Sequence, residues 1–378
     1  MSLILLAAVG FLLVAAETAP AGLLPVMAGD LRVSEGTVGQ LVSVWALGTV
    51  LVTAPVIRRT QHLRRKPLLL TALAGVIVAN TVTVAVRDLP VLLACRFVAG
   101  GFTGIIWAMV AGYSRRISPP RLAGRALAIA YAGAPLGFAL GTPLAAALGQ
   151  AVGWRWSFAA ISGSALVVLL LTAALVPDAG RPAGVPTVPL RIVFLLPGVR
   201  NALLVLVLWA LAHTVVYTYV APYLRASGTD LRVDVVLFVY GVAAIAGVGV
   251  AAAALDRFPQ RLIVVTTTLF TAAALALLIG HRSGAVVLAA TVVWGVTYGS
   301  AAAQVQSALA RAGREQSEVA NAFLPVGFNI AIFAGGVLGA VLLTRSDGVI
   351  LPAVMATLGA AAVVAALYGR RSAFAGDR

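Results

Sequence analysis

The sequence predicts an all-α membrane protein whose twelve transmembrane helices form two six-helix bundles, and three observations carry that expectation. Of the 378 residues 61% are hydrophobic and only 10% charged, with a mean hydropathy of +1.03, far from the roughly 45–50% apolar and about 25% charged usage of soluble domains. No soluble core could hide that much apolar surface. The apolar residues fall in unbroken runs of about 20, the length that crosses roughly 30 Å of hydrocarbon, whereas barrel segments are about 10 residues of alternating polarity. The basic residues fall in short clusters between those runs.

In chain order the runs are centred within 2–28, 37–57, 67–86, 89–114, 126–149 and 157–176, then 201–224, 235–255, 262–280, 284–308, 319–343 and 349–368. The first has a rival reading, because an apolar stretch followed by Thr18-Ala19-Pro20-Ala21 resembles a signal peptide with a small-residue cleavage site. Its leading residues lack Lys and Arg, which favours a retained helix. With Met1 placed in the cytoplasm, alternate loops carry Arg58, Arg59, Arg64, Arg65 and Lys66, then Arg115, Arg116, Arg121 and Arg125, then Arg181, Arg191 and Arg200. Arg257, Arg261, Arg311, Arg314, Arg370, Arg371 and Arg378 follow on the same side, so that 19 of the 27 Lys and Arg residues lie there. The positive-inside rule then expects both termini in the cytoplasm of a cell whose inner membrane holds the chain. Between the sixth and seventh runs, Pro177 to Pro189 is rich in Pro and Gly, as a linker is. The expected division is therefore 1–176 for the first bundle, 177–199 for a cytoplasmic linker and 200–378 for the second bundle. Such a parallel repeat is the architecture in which two bundles rock about a midplane site.

Composition also excludes chemistries. One Cys leaves no disulfide framework or Cys-based zinc site, and His62, His213 and His281 stand too far apart for a ligand spacing. No metal and no cofactor are expected. The formal charge of +15 lies in loop clusters rather than along one solvated face, so nucleic acid is not an expected partner. A membrane-embedded enzyme should show paired carboxylates or His and Asp clusters at one depth, but the spans hold a single carboxylate and no catalytic residue is assigned.

That carboxylate is Glu17 in the first span, and the one cation within a span is Arg96 in the fourth, with His213 in the seventh as a further proton or substrate site. Burying a charge in a membrane helix costs about 2.5–3.5 kcal/mol even on the lenient insertion scale, so such residues mark substrate or proton paths. The bland alternatives are a structural Glu–Arg ion pair and a neutral, hydrogen-bonded histidine. Small residues stripe the fourth span through Gly100, Gly101 and Gly104, and the fifth through Gly133, Pro135, Gly137, Gly141 and Pro143. Such stripes let helix backbones approach and slide, although static packing alone would want the same glycines. The prolines predict a bent fifth helix, since each removes a backbone bond.

Taken together these segments resemble the major facilitator superfamily, in its twelve-span drug:proton antiporter branch with arabinose, sugar and chloramphenicol exporters. Glu17-Thr-Ala-Pro-Ala-Gly-Leu-Leu-Pro25 resembles the branch's first-helix signature, and Arg96 with Gly100 and Gly104 the family's Arg-centred fourth-helix motif. Gly124-Arg125-Ala-Leu-Ala, Gly141-Thr-Pro143, Gly153-Trp154-Arg155-Trp-Ser-Phe158, Glu318-Val-Ala-Asn321, and Asn329 with Gly335, Gly336 and Gly339 are similar to later stretches of the branch. One departure lies in the 2–3 loop, where the family's Gly-x-x-x-Asp-Arg-x-Gly-Arg pattern becomes Ile57 to Lys66 with Gln61 in place of the Asp. Asp256, Arg257 and Arg261 keep the pattern in the 8–9 loop, so an Asp latch is expected in the second half rather than the first.

The resemblance implies proton-coupled export of small organic molecules by alternating access, with Glu17 and Arg96 coupling protons, a drug or antibiotic such as a chloramphenicol-like compound as cargo, and a monomer in the lipid bilayer as the working unit. Candidates for lining the cavity are Trp45, Trp107, Tyr131, Trp209, Tyr217, Trp294, Tyr298, Gln304 and Asn329, which would offer stacking surface and orienting hydrogen bonds. Interfacial placement competes for each aromatic. Export of sugars or nucleosides, and a non-transporting membrane sensor, remain the alternatives.

Overall fold

The computed structural model describes residues 1–60, 62–180, 190–369 and 373–374, apart from the side chains of Pro120, Leu190 and Glu318. Gln61, Arg181 with most of the Pro/Gly-rich stretch, Arg370, Arg371 and Arg378 lie outside the described residues. Twelve helical segments among the described residues are long and apolar enough to cross a membrane. The described residues contain no strand.

The first unit, Met1–Gly184, opens with α1 (Ser2–Leu31), α2 (Glu35–Arg59), α3 (Arg65–Ala85) and α4 (Leu89–Arg116). These starts are set by caps: the Ser34 side chain accepts from the Thr37 N–H at 3.1 Å, and Asp88 from Val91 at 3.1 Å, each satisfying a first-turn donor. The fifth span is α5 (Ala123–Tyr131), α6 (Gly133–Leu136), a π-helical turn at Gly137–Gly141 and α7 (Thr142–Val152). Where a bend is expected, the helix carries a widened turn. Pro143 has no N–H for a carbonyl one turn back, and the Thr142 N–H reaches five residues to the Gly137 carbonyl. α8 (Trp154–Leu175) follows after the single residue Gly153, whose φ of 100° suits glycine.

The second unit, Val185–Arg378, begins with a short α9 (Leu190–Phe194) inside the stretch expected to be plain linker, and then α10 (Pro197–Tyr217) and α11 (Val220–Ser227). α12 (Val233–Ala254), α13 (Pro259–Ile279), α14 (Gly284–Gly299), α15 (Ala301–Gly313), α16 (Ser317–Arg345) and α17 (Ile350–Gly369) complete it. Two runs expected to be continuous are broken. The seventh stops at Thr218 and Tyr219 because Pro222 cannot donate to the Thr218 carbonyl and its ring crowds it. The tenth breaks at Ser300, whose hydroxyl turns back to the Thr297 carbonyl at 2.6 Å.

Glycine seams hold each unit. In the first, a Cβ on Gly100 would overlap the Trp45 carbonyl, and one on Gly48 the Phe97 carbonyl, so α2 and α4 touch backbone to backbone. In the second, Gly247, Gly295 and Gly299 do the same for α12 and α14. The stripe of the fifth span is buried against α1: a Cβ on Gly137 would sit 2.8 Å from that of Val14, and one on Gly141 2.6 Å from that of Ala15. Two units with the same seam are an internal repeat made visible.

Candidate functional site

Two polar clusters stand out, one in each unit. In the first, Arg96 is completely buried in α4 and spreads its guanidinium over two helices. Nη1 donates to the Ala16 carbonyl at 2.8 Å, Nη2 to the Glu17 carbonyl at 2.7 Å and Nε to the Leu41 carbonyl at 3.2 Å. The Trp45 ring centroid lies 4.2 Å from Cζ, a cation–π contact. The sequence explains one acceptor directly. In a helix the Ala16 carbonyl would accept from the N–H of residue 20, but that residue is Pro20, so the oxygen is free for Arg96. The expected alternative of a Glu–Arg ion pair is not what Arg96 makes: it binds the backbone of Glu17 and not its carboxylate.

Glu17 is half-buried and sits near the middle of the 30-residue α1, roughly half-way through a span at 1.5 Å per residue. Next to it, Thr18 donates to the Val14 carbonyl at 2.7 Å and lies 2.6 Å from the Thr142 hydroxyl, beside the π turn. The carboxylate level of α1 is therefore held on one side by Arg96 and on the other by Thr142. At its end, α1 is fixed by Asp30, which accepts from Trp154 Nε1 at 3.0 Å and from Arg155.

In the second unit His213 of α10 is buried in aromatic rings. It stacks on Tyr298 with centroids 3.7 Å apart, on Tyr240 at 5.5 Å, and meets Tyr217 at 4.9 Å. Trp294 Nε1 donates to His213 Nδ1 at 3.1 Å. Because an indole N–H can only donate, Nδ1 carries no proton here and the ring proton of a neutral His213 belongs on Nε2. Trp209 joins this cluster through Tyr298 at 6.1 Å and through Phe270 at 6.0 Å.

The cavity candidates thus fall into several groups. Trp209, Tyr217, Trp294 and Tyr298 gather around His213. Trp45 covers Arg96, and Trp107 pairs with Tyr131 at 5.6 Å within the first unit. Gln304 is buried and donates to Ser300 at 2.7 Å and Thr266 at 3.2 Å, which braces the break in the tenth span. Asn329 donates to the Pro325 carbonyl of its own helix at 2.9 Å. Tyr240, Phe270 and Asp30 were not singled out from sequence, and Thr142 only within the Gly141-Thr-Pro143 stretch. Tyr240 carries the same signal as the aromatics that were, an aromatic inside an apolar run.

The charge pairing at the loops differs from expectation. Asp256 is exposed and makes no hydrogen bond or ion pair among the described residues. In the first unit, where the loop has Gln61 instead of an acid, Arg64 Nε pairs at 2.6 Å with Asp178, just beyond α8. Asp178 also accepts from the Lys66 and Gly180 N–H groups, and Tyr113 donates to the Pro177 carbonyl at 2.8 Å. Partial burial pushes the Asp178 carboxyl up, but the two backbone donors and Arg64 outweigh it and hold the group below the usual carboxylate range.

Residues 6–311 match the family model described as Major Facilitator Superfamily. Chloramphenicol efflux pumps of two Mycobacterium tuberculosis strains, CDC 1551 / Oshkosh and ATCC 25618 / H37Rv, are each 32% identical over 377 residues, covering 94% of this chain and 89% of theirs. Among solved structures, a D-xylose-proton symporter aligns with a TM-score of 0.76 at 16% identity, covering 98% of this chain and 97% of its own. The xylose transporter of E. coli, in a partially occluded inward-open conformation, aligns at 0.73 and 14% identity over 96% of this chain and 97% of its own. These last two speak to fold alone. With a family match over most of its length and twelve membrane-length helical segments among the described residues, this chain belongs to the major facilitator superfamily of multi-pass membrane transporters.

Proposed function

We propose that the protein exports small, moderately apolar organic molecules of the chloramphenicol kind in exchange for protons, by alternating access, as a monomer in the inner membrane with both termini cytoplasmic. The observation that carries the cargo is the likeness to chloramphenicol efflux pumps along nearly the whole chain. The likeness to xylose transporters does not favour sugars, because at that identity it speaks only to fold.

Glu17 is proposed as the proton carrier. It is the single carboxylate in the middle of a span, and Arg96 leaves its carboxyl group out of an ion pair by taking the backbone instead. Exchange requires proton and substrate to bind antagonistically, which is a coupling free energy between two ligands and so works in both directions. Substrate arriving near Glu17 then releases its proton. The aromatic cluster around His213 is proposed to stack against the planar part of the cargo.

The test is Glu17→Gln in proteoliposomes with an imposed pH gradient. The variant is expected to insert and to bind substrate while losing uphill export; export against a gradient at the wild-type rate would place coupling elsewhere. A growth-inhibition panel in an efflux-deficient host separates cargo classes: protection against amphenicols is expected, and protection only against toxic sugars or nucleosides would overturn that part. No protection by any compound, with Glu17 replaceable, would instead favour a sensor.

A further inference from the structure

We propose that a cleft of the first unit is a binding site for a phosphate-bearing anion, held between Arg65 and Arg116. The cleft lies where α2 and α4 end and α3 begins, and has a volume of about 90 Å³, several times the 10–15 Å³ that one water needs. Arg65, Arg116 and Tyr113 make its polar side and Ile57, Ala108 and Met109 its apolar side.

Its charge is uncompensated. Arg65 Nη1 is shut off from solvent and has no hydrogen-bond partner, an arrangement that costs a buried charged donor more than it does a neutral one. Arg116 brings a second guanidinium to the same cleft. Among the described residues no carboxylate lines it, and Asp178 is already engaged by Arg64 and the Lys66 and Gly180 N–H groups. Two like charges sharing a pocket of this size repel unless an anion sits between them. Guanidinium is the side chain that matches phosphate geometry with paired donors, which a chloride ion would leave unused.

The walls favour an amphiphile. Ile57, Ala108 and Met109 would be left against water by an inorganic ion but can face the glycerol and first methylenes of a lipid. This end of the unit also carries Arg58, Arg59, Arg64, Arg115 and Arg121, and each basic group near an anionic leaflet contributes about 1 kcal/mol of attraction. The shared chemistry is a phosphate, and its source can be a lipid headgroup or the free ion.

The experiment follows thermal unfolding of the purified full chain in a neutral detergent at constant ionic strength. Short-chain phosphatidylglycerol, short-chain phosphatidylcholine and inorganic phosphate are titrated separately. A saturable rise in melting temperature with phosphatidylglycerol, weaker with phosphatidylcholine, identifies a lipid headgroup; a rise with inorganic phosphate alone identifies a soluble ion. Arg65→Gln and Arg116→Gln should each weaken the effective ligand roughly tenfold, as the loss of one charge-assisted bond implies. Arg121→Gln, outside the cleft, should respond like wild type. Without ligand the Arg65→Gln and Arg116→Gln proteins should melt no lower than wild type, since repulsion is relieved, an outcome that a purely structural role for these arginines would not give. The proposal is overturned if neither phosphatidylglycerol nor phosphate shifts the wild-type transition, if Arg65→Gln and Arg116→Gln respond like wild type, or if all three variants lose the response equally, which would indicate general surface charge.

Discussion

Replacing Arg96 with Met should leave the protein folded and stop transport. Three interhelical hydrogen bonds to the carbonyls of Ala16, Glu17 and Leu41 disappear. At the roughly 0.6–1.7 kcal/mol measured for such bonds inside membranes, that loss comes to about 2–5 kcal/mol. Against it stands the buried cation itself, whose removal returns about 2.5–3.5 kcal/mol on the insertion scale. Met fills a similar volume with no polar atom, so the net change should be within about 2.5 kcal/mol of zero. Arg96→Lys is the informative partner: it retains the cost of a buried charge, yet one ammonium cannot reproduce a planar fork that reaches α1 and α2 at once. The Lys variant should therefore melt below the Met variant, and both should fail in transport. The assay is melting temperature in detergent beside substrate uptake into inverted vesicles. Wild-type uptake by Arg96→Met, or a loss of uptake that merely tracks a loss of folded protein, would refute the reasoning.

Gly100→Ala should lower the melting temperature sharply, because the added carbon overlaps the Trp45 carbonyl and overpacking of this kind costs about 1–3 kcal/mol; Gly163→Ala, with nothing within 4 Å, should be tolerated, and equal behaviour of the two in a fluorescence-detected melt would contradict the seam. Asp178→Asn should loosen the staple between the 2–3 loop and the end of α8 by up to about 1 kcal/mol, as a pair with one exposed partner allows. Since the folded state holds this carboxyl below its ordinary value of 3.8, its contribution is fully present above that pH and is lost as pH falls through the lower folded value. The difference between wild type and Asp178→Asn should hence be constant from about pH 5 to 8 and shrink only in strong acid, which a pH series of melts reads directly.

The sequence made the spans legible because hydrocarbon imposes one length and one polarity on any helix that crosses it. It did not show the breaks at Thr218 and Ser300, since apolar runs read the same whether one helix fills them or two. Pro222 was visible as a residue, but whether a proline kinks a helix or ends it depends on what neighbours supply to the freed carbonyl. Glu17, Arg96 and His213 announced themselves as costly residues in spans. Their partners did not, because Ala16, Leu41 and the Glu17 main chain act through backbone atoms that every residue has. Asp178 was hidden for another reason: its partner Arg64 is over 100 positions away, and only folding brings α8 back to the 2–3 loop.

Pro20 links these observations. A proline in a membrane helix normally leaves a carbonyl to be satisfied by neighbours, and here the neighbour is a charged group from another helix. The arrangement makes α1 sensitive to α4 at the level of Glu17 without neutralising the carboxyl group, which an ion pair would do. Thr18 ties the same level to Thr142, the first residue beyond the π turn, so a change in the pitch of the fifth span also reaches α1 there. The smooth stripe of Gly133, Gly137 and Gly141 offers no polar atom of its own to hold α1 elsewhere along that face. Polar contacts to two neighbouring helices at the level of Glu17, with Asp30 held separately at the end of α1, are what a coupling element needs: they fix the middle of the helix in one state and can be exchanged in another at the cost of a few hydrogen bonds.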